Sequence, residues 1–180
     1  MNAALQRAET IIERAPESGL VVELGFLTGN MMMQALSRRP DISWVAVDNW
    51  LPMEEQPERY FLTKDDHAMK DKNQCARDRE MAYLRASTHK ASVLHMSTKD
   101  AAKFVADGSC DVVFIDADHS YEGAKEDIQN WLPKVKKGGW IGGHDYLNPD
   151  PRFEGVDLAV DELFTGEVLR DQNFTWWAKV

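Results

Sequence analysis

With 180 residues, 43% of them hydrophobic and 28% charged, the chain has the composition of one globular domain with a single core, and is too short to divide into two. A net charge of −9, from 30 acidic against 21 basic residues, argues against nucleic acid as a partner, because phosphate binding needs a basic face. No apolar run reaches the ~18 residues of a membrane span, and residues 1–19 are charged and amphipathic where a secretory signal would be apolar. A cytoplasmic protein with no membrane partner is expected, and Cys75 and Cys110, which form no CxxC pair, read as free thiols.

In chain order, residues 3–15 read as a helix stopped near Pro16 and Gly19. "LVVEL" (20–24) is a buried strand, followed by a glycine-bearing turn and a helix to about Arg38. "SWVAVD" (43–48) is a second strand, and residues 50–72 interrupt the rhythm with two prolines and mixed charge. Such an insertion is either a lid or acceptor-binding loop, or a plain surface loop. Strands follow at 91–96, 111–116 and 139–145, with helices at about 98–107, 121–133 and 155–164. The basic groups Arg38-Arg39 and Lys134 to Lys137 fall at expected helix ends. Residues 167–171 and 174–180 look like a closing antiparallel pair joined by "QN". Alternating strands and helices predict an α/β fold, with a mostly parallel sheet covered on both faces.

In such a sheet, ligands bind beyond the carboxyl ends of the strands. Those ends carry Glu23, Asp48, Asp116 and the pair His144-Asp145, and four acid-bearing ends at one edge point to a site. In "ELGFLTGN", Gly25 and Gly29 stand four apart, and glycine lets backbone approach a ligand with no Cβ in the way. Phe26, Leu27 and Thr28 between them would crowd a pyrophosphate, so a phosphate-free ligand fits the turn better. Asp48 follows about 20 residues on, where a carboxylate can accept both hydroxyls of a ribose. Together these features predict a nucleoside-like cofactor.

"VVELGFLTGN" resembles the first motif, E-x-G-x-x-x-G, of class I S-adenosylmethionine-dependent methyltransferases, and "VAVD" resembles their second. "FIDADHSYEGAKEDIQNWLPKVKKGGWIGGHDY" resembles the fourth-to-fifth-strand unit of one branch, small O-methyltransferase-like proteins related to catechol-type and sugar-modifying enzymes. The likeness runs from about residue 19 to the C-terminus. It implies a Rossmann-like seven-stranded sheet of order 3-2-1-4-5-7-6 in a single domain over 1–180, and S-adenosylmethionine as cofactor. Glu23 would orient the loop and the methionine amino group, with Gly25, Phe26 and Gly29 close to the cofactor. Asp48 and Asn49 would serve the ribose side, Met96 and Ser97 the adenine, and Asp116 would complete the set. Ser97 also reads as an N-cap for the helix at 98.

Metal-dependent relatives hold Mg²⁺ with an Asp after the fourth strand and an acid-amide or acid-acid pair after the fifth, and Asp116, His144 and Asp145 stand at those positions. Here His144 replaces a hard oxygen ligand, and imidazole favours zinc, iron or nickel over magnesium. His119 follows Asp116 by three, where catechol-type relatives carry a lysine base and some sugar-modifying ones a histidine. His119 with Asp116 is therefore the expected catalytic pair, and capping of the next helix by Asp118 and His119 is the plainer reading. His67, His89 and His95 read as surface or edge residues, Trp44, Trp131, Trp140, Trp176 and Trp177 as core, and Trp50 as an adenine or lid contact. The expected reaction is methyl transfer to a hydroxyl of a small molecule or sugar, and a homo-oligomer is compatible with the sequence. Two other readings stay open: a metallohydrolase using Asp116, His119, His144 and Asp145, and a non-catalytic S-adenosylmethionine-binding protein.

Overall fold

Short runs of β-branched and aromatic residues bounded by glycine and polar turns build one sheet. The structure, a computed structural model, describes residues 2–166 and 168–180. Its strands are β1 (Leu20–Leu24), β2 (Ser43–Asp48), β3 (Ala91–His95), β4 (Cys110–Ile115), β5 (Val135–Gly143), β6 (Leu169–Asp171) and β7 (Thr175–Lys179). Their order is β3-β2-β1-β4-β5-β7-β6. The first five are parallel, and β7 runs antiparallel to both β5 and β6.

The helices are α1 (Ala3–Arg14), α2 (Asn30–Leu36), α3 (Glu58–Phe61), α4 (Lys72–Ala86), α5 (Thr98–Ala101), α6 (Tyr121–Trp131) and α7 (Glu154–Leu163). Strand residues alternate between the two faces. Val21, Trp44, Phe114 and Trp177 bury with Ile11 of α1, Met32 of α2 and Ala82 of α4. Val22, Leu24, Val113, Ile115 and Trp176 bury with Ile128 and Trp131 of α6 and Val160 of α7. The first helix therefore packs on its own sheet, with Ile11 fully buried.

Several expected boundaries change. The helix at 98–107 is one α-turn continued by a 3-10 turn over Ala102–Phe104, because the chain must turn at Gly108 (φ +63°) to enter β4. The strand at 139–145 starts four residues earlier and ends at Gly143, so Lys136 and Lys137 stand in β5 and not at a helix end. Lys136 Nζ lies 2.8 Å from both oxygens of Asp111 on the neighbouring strand. The helix α4, between the insertion and β3, had no sequence reading of its own. Its buried residues are only Cys75, Ala82 and Ala86, too sparse for an amphipathic pattern, and an Asp71–Gln74 capping box starts it. Within 50–72 the structure forms a 3-10 turn at Met53–Glu55 and the short α3. The expected strand start at 167 lies outside the described residues.

No helix among the described residues is long and apolar enough to cross a membrane.

Candidate active site

The parallel register brings the candidate residues to one edge. Leu24 at the end of β1 pairs with Val47 of β2 and Ile115 of β4, and Ile115 pairs with Gly143 of β5. Asp48, Asp116 and His144 thus leave the sheet side by side. Gly25 (φ +83°) makes this packing feasible, because a Cβ there would stand 1.8 Å from the carbonyl oxygen of Asp116. Gly29 (φ +72°) plays a different part. It precedes α2 and lies against the ring of Phe26, with no place in the cavity wall.

A cavity of about 470 Å³ opens at this edge, lined by Glu23, Gly25, Phe26, Asp48, Asn49, Ser97, Asp116 and His119 among others. Glu23 is buried and accepts a hydrogen bond from Trp44 Nε1 at 2.9 Å. Burial pushes its pKa well above the ordinary carboxyl value, against the lowering effect of that bond. Asp48 accepts the backbone N–H of Leu27 on one oxygen and that of Trp50 on the other, each at 2.8 Å. Both amides fix the carboxylate and leave each oxygen a lone pair towards the cavity. Burial raises its pKa, and these two bonds lower it.

Trp50 is buried, and its indole donates to the carbonyl of Leu27 at 2.7 Å, tying the glycine turn to the insertion. Ser97 caps α5 by accepting from Asp100 N and also lines the cavity, whereas Met96 packs into the core beneath it. His67 is exposed on the cavity rim, and His95, exposed at the sheet edge, bonds the carbonyl of Asn49 at 3.1 Å.

Asp116 and His119, which line the cavity, meet His144 and Asp145 behind them, two imidazoles against two carboxylates. His119 Nε2 lies 3.3 Å from Asp116 Oδ1 and 3.3 Å from Asp145 Oδ2. His144 Nδ1 lies 2.9 Å from the same Asp145 oxygen and 3.4 Å from the same Asp116 oxygen. Burial opposes charge on both rings, yet the carboxylates outweigh it. They raise His119 to about 10 and His144 to about 9, and the two rings in turn hold Asp116 well below the usual carboxylate range. Asp116, His144 and Asp145 offer ligand atoms within 4.8 Å of one another. Two carboxylates and an imidazole form a donor set that fits a divalent cation. The expected cap at Asp118 and His119 is corrected: Ser120 caps α6, and Asp118 accepts from Ser120 N and from Arg59 of α3.

The sequence model of a methyltransferase-domain family matches residues 22–146, from β1 through the end of β5 and into the turn after it. The chain belongs to this methyltransferase family. Its fold is that of the class I S-adenosylmethionine-dependent enzymes, with the sheet order expected from the motifs.

Solved structures share the methyltransferase's fold at low identity. The O-methyltransferase NovP is 18% identical with a TM-score of 0.65, over 98% of this chain and 79% of that one. CalS11, a TDP-rhamnose 3′-O-methyltransferase of calicheamicin biosynthesis, is 12% identical with a TM-score of 0.56, over 98% and 76%. Spermidine synthase from Thermotoga maritima is 10% identical with a TM-score of 0.58, over 97% and 60%. Among curated proteins, none matches the sequence. One fold thus serves different transfers, and the side chains at the sheet edge must decide the chemistry.

Two residues of the methyltransferase's site had no sequence signal. Arg7 of α1 places Nη1 3.2 Å from His144 Nε2 and donates to Asn173 Oδ1 at 3.1 Å, and its Nε is 3.9 Å from Asp116 Oδ2. Asp65 of the insertion is 2% exposed and lies 2.5 Å from His119 Nδ1. Nothing in the spacing of either residue links it to the strand ends it meets.

Proposed function

We propose that the protein transfers the methyl group of S-adenosylmethionine to a hydroxyl of a small molecule or sugar. The observation that carries this reading is a single cavity lined by Glu23, Gly25 and Asp48 together with Asp116 and His119. Asp48 accepts the ribose hydroxyls, and Glu23, with its one bond from Trp44, turns to the methionine amino group. Phe26 and Asn49 line the cofactor's part of the cavity, with Gly29 behind the Phe26 ring, and Ser97 flanks the adenine with Met96 packed beneath it.

The acceptor hydroxyl docks at the Asp116–His119 end. Its oxygen attacks the methyl carbon in line with the departing sulfur, the C–O bond forms as the C–S bond breaks, and the electron pair stays on sulfur. His119, charged in the free protein, gives its Nε2 proton to solvent before the transfer, and the hydroxyl proton then passes to Nε2. Asp116, His144 and Asp145 would hold a divalent metal ion, which lowers the pKa of an acceptor hydroxyl. With His144 among the ligands of such an ion, its ring proton would sit on the other nitrogen, and Arg7 would keep Asn173 as its acceptor. The imidazole in this set favours zinc or iron over magnesium. NovP and CalS11, both O-methyltransferases, support the choice of oxygen as acceptor.

The test is methyl transfer from radiolabelled S-adenosylmethionine to a panel of catechols, phenols and sugar nucleotides, with and without added divalent metal. Labelled ether product supports the reading. Cofactor binding with no product on any acceptor would favour a non-catalytic binding protein. Metal binding without nucleoside binding would favour a metallohydrolase.

A further inference from the structure

We propose that Asp65, carried by the insertion, is the positioning residue that fixes the ring and tautomer of His119. On this assignment the base is complete only with the insertion in place. The inference rests on the methyltransferase reading for its purpose, but its geometry stands alone.

Asp65 is held as firmly as the ring it faces. The turn at 63–67 delivers it, with Lys64 in the left-handed region (φ +58°) and Asp65 N donating to Thr63 Oγ1 at 3.2 Å. Its Oδ1 accepts from His67 N at 2.9 Å, and its Oδ2 accepts from Tyr60 Oη at 3.2 Å as well as facing His119 Nδ1 at 2.5 Å. An ionised carboxylate only accepts, so Nδ1 must carry the proton at this bond. Nε2, 3.3 Å from Asp116 Oδ1, also faces a carboxylate and carries the proton that the charged ring gives up first, so the neutral ring is the Nδ1–H tautomer with Nε2 free as base.

The ring cannot turn away. The Phe153 ring stands against it with centroids 4.9 Å apart at 86°, and the Tyr60 ring with centroids 6.2 Å apart at 69°. A base fixed by a carboxylate on its far nitrogen is the arrangement that sets tautomer and aim in acyl-transfer enzymes, there on unrelated folds.

The same segment lines the cavity with Gln56, Pro57, Arg59 and Tyr60. One element therefore both shapes the acceptor's end of the cavity and orients the base. Arg59 pins it to the sheet side, bonding Asp118 at 3.0 Å and Glu126 at 3.1 Å.

Nuclear magnetic resonance of the full chain labelled with ¹⁵N-histidine tests the dyad without an acceptor. The His119 signals are assigned by their loss in His119→Gln. The wild type should show a strongly deshielded Nδ1 proton on His119, and Asp65→Asn should remove it, while affinity for S-adenosylhomocysteine stays within about threefold. Asp65→Glu should restore part of the signal. With any acceptor that is turned over, Asp65→Asn should lower kcat by about 10- to 100-fold, with KM for S-adenosylmethionine unchanged. A wild-type His119 without a deshielded Nδ1 proton, or one unmoved in Asp65→Asn, would overturn the proposal. Loss of methyl transfer on every acceptor with the resonance pattern intact would instead overturn the methyltransferase reading and leave the dyad standing.

Discussion

At the residue scale, two positions carry consequences that can be measured in the free protein. A Cβ at residue 25 would stand 1.8 Å from the Asp116 carbonyl, so Gly25→Ala must push β1 and β4 apart where their ends form the site. Urea unfolding should show a loss of about 2–4 kcal/mol, with weaker cofactor binding. Asp127 of α6 is buried against Thr98, whose hydroxyl lies 2.5 Å from its Oδ1. Burial raises its pKa to about 7, the Thr98 bond opposes this, and the charges of Asp118 and Glu126 add to it.

The folded chain therefore holds this proton between about pH 4 and pH 7 while the unfolded chain has lost it, so stability from this group falls as pH rises through that window. Asp127→Asn should remove that slope and gain roughly 1–4 kcal/mol at pH 8 relative to pH 4. A wild-type-minus-variant difference that is flat with pH would show that Asp127 titrates as an ordinary carboxyl.

At the scale of elements, α1 belongs to the sheet it covers. Ile11 is fully buried, and the Arg14 guanidinium lies 4.5 Å from the Trp177 ring centroid and 3.0 Å from Asp171. Ile11→Ala should cost about 2–5 kcal/mol in denaturant unfolding, and Leu158→Ala on the exposed face of α7 less than about 0.5 kcal/mol. Equal small losses would mean that α1 is a loosely attached arm.

The strands were legible in the sequence because β1, β2 and β4 are nearly continuous runs of Val, Ile, Leu, Trp and Phe, buried on both faces. α4 was not, since it buries three small side chains against an otherwise polar surface. The insertion resisted reading for a related reason. Its organising residue is a buried aspartate whose partner, His119, lies 54 positions away, and no periodicity reports such a pairing.

At the scale of the whole molecule, sheet order determines which strand ends become neighbours. The motifs at 21–30 and 114–146 gave that order through family resemblance, while the alternation of strands and helices gave only a parallel sheet. Glu23, Asp48, Asp116, His144 and Asp145 could be named in advance because each sits at the end of a legible strand. Arg7 and Asp65 come from a helix and a loop that approach the edge from outside, and only the packed chain brings them there.

The central claim is that this edge binds S-adenosylmethionine through Asp48. Isothermal titration of the intact chain with S-adenosylmethionine tests it most directly. Binding should be saturable and one-to-one, weakened about 10- to 100-fold by Asp48→Ala, the worth of about 1.5–3 kcal/mol for hydrogen bonds to a charged group. No heat of binding at millimolar cofactor, or an Asp48→Ala variant that binds as tightly as the wild type, would contradict it.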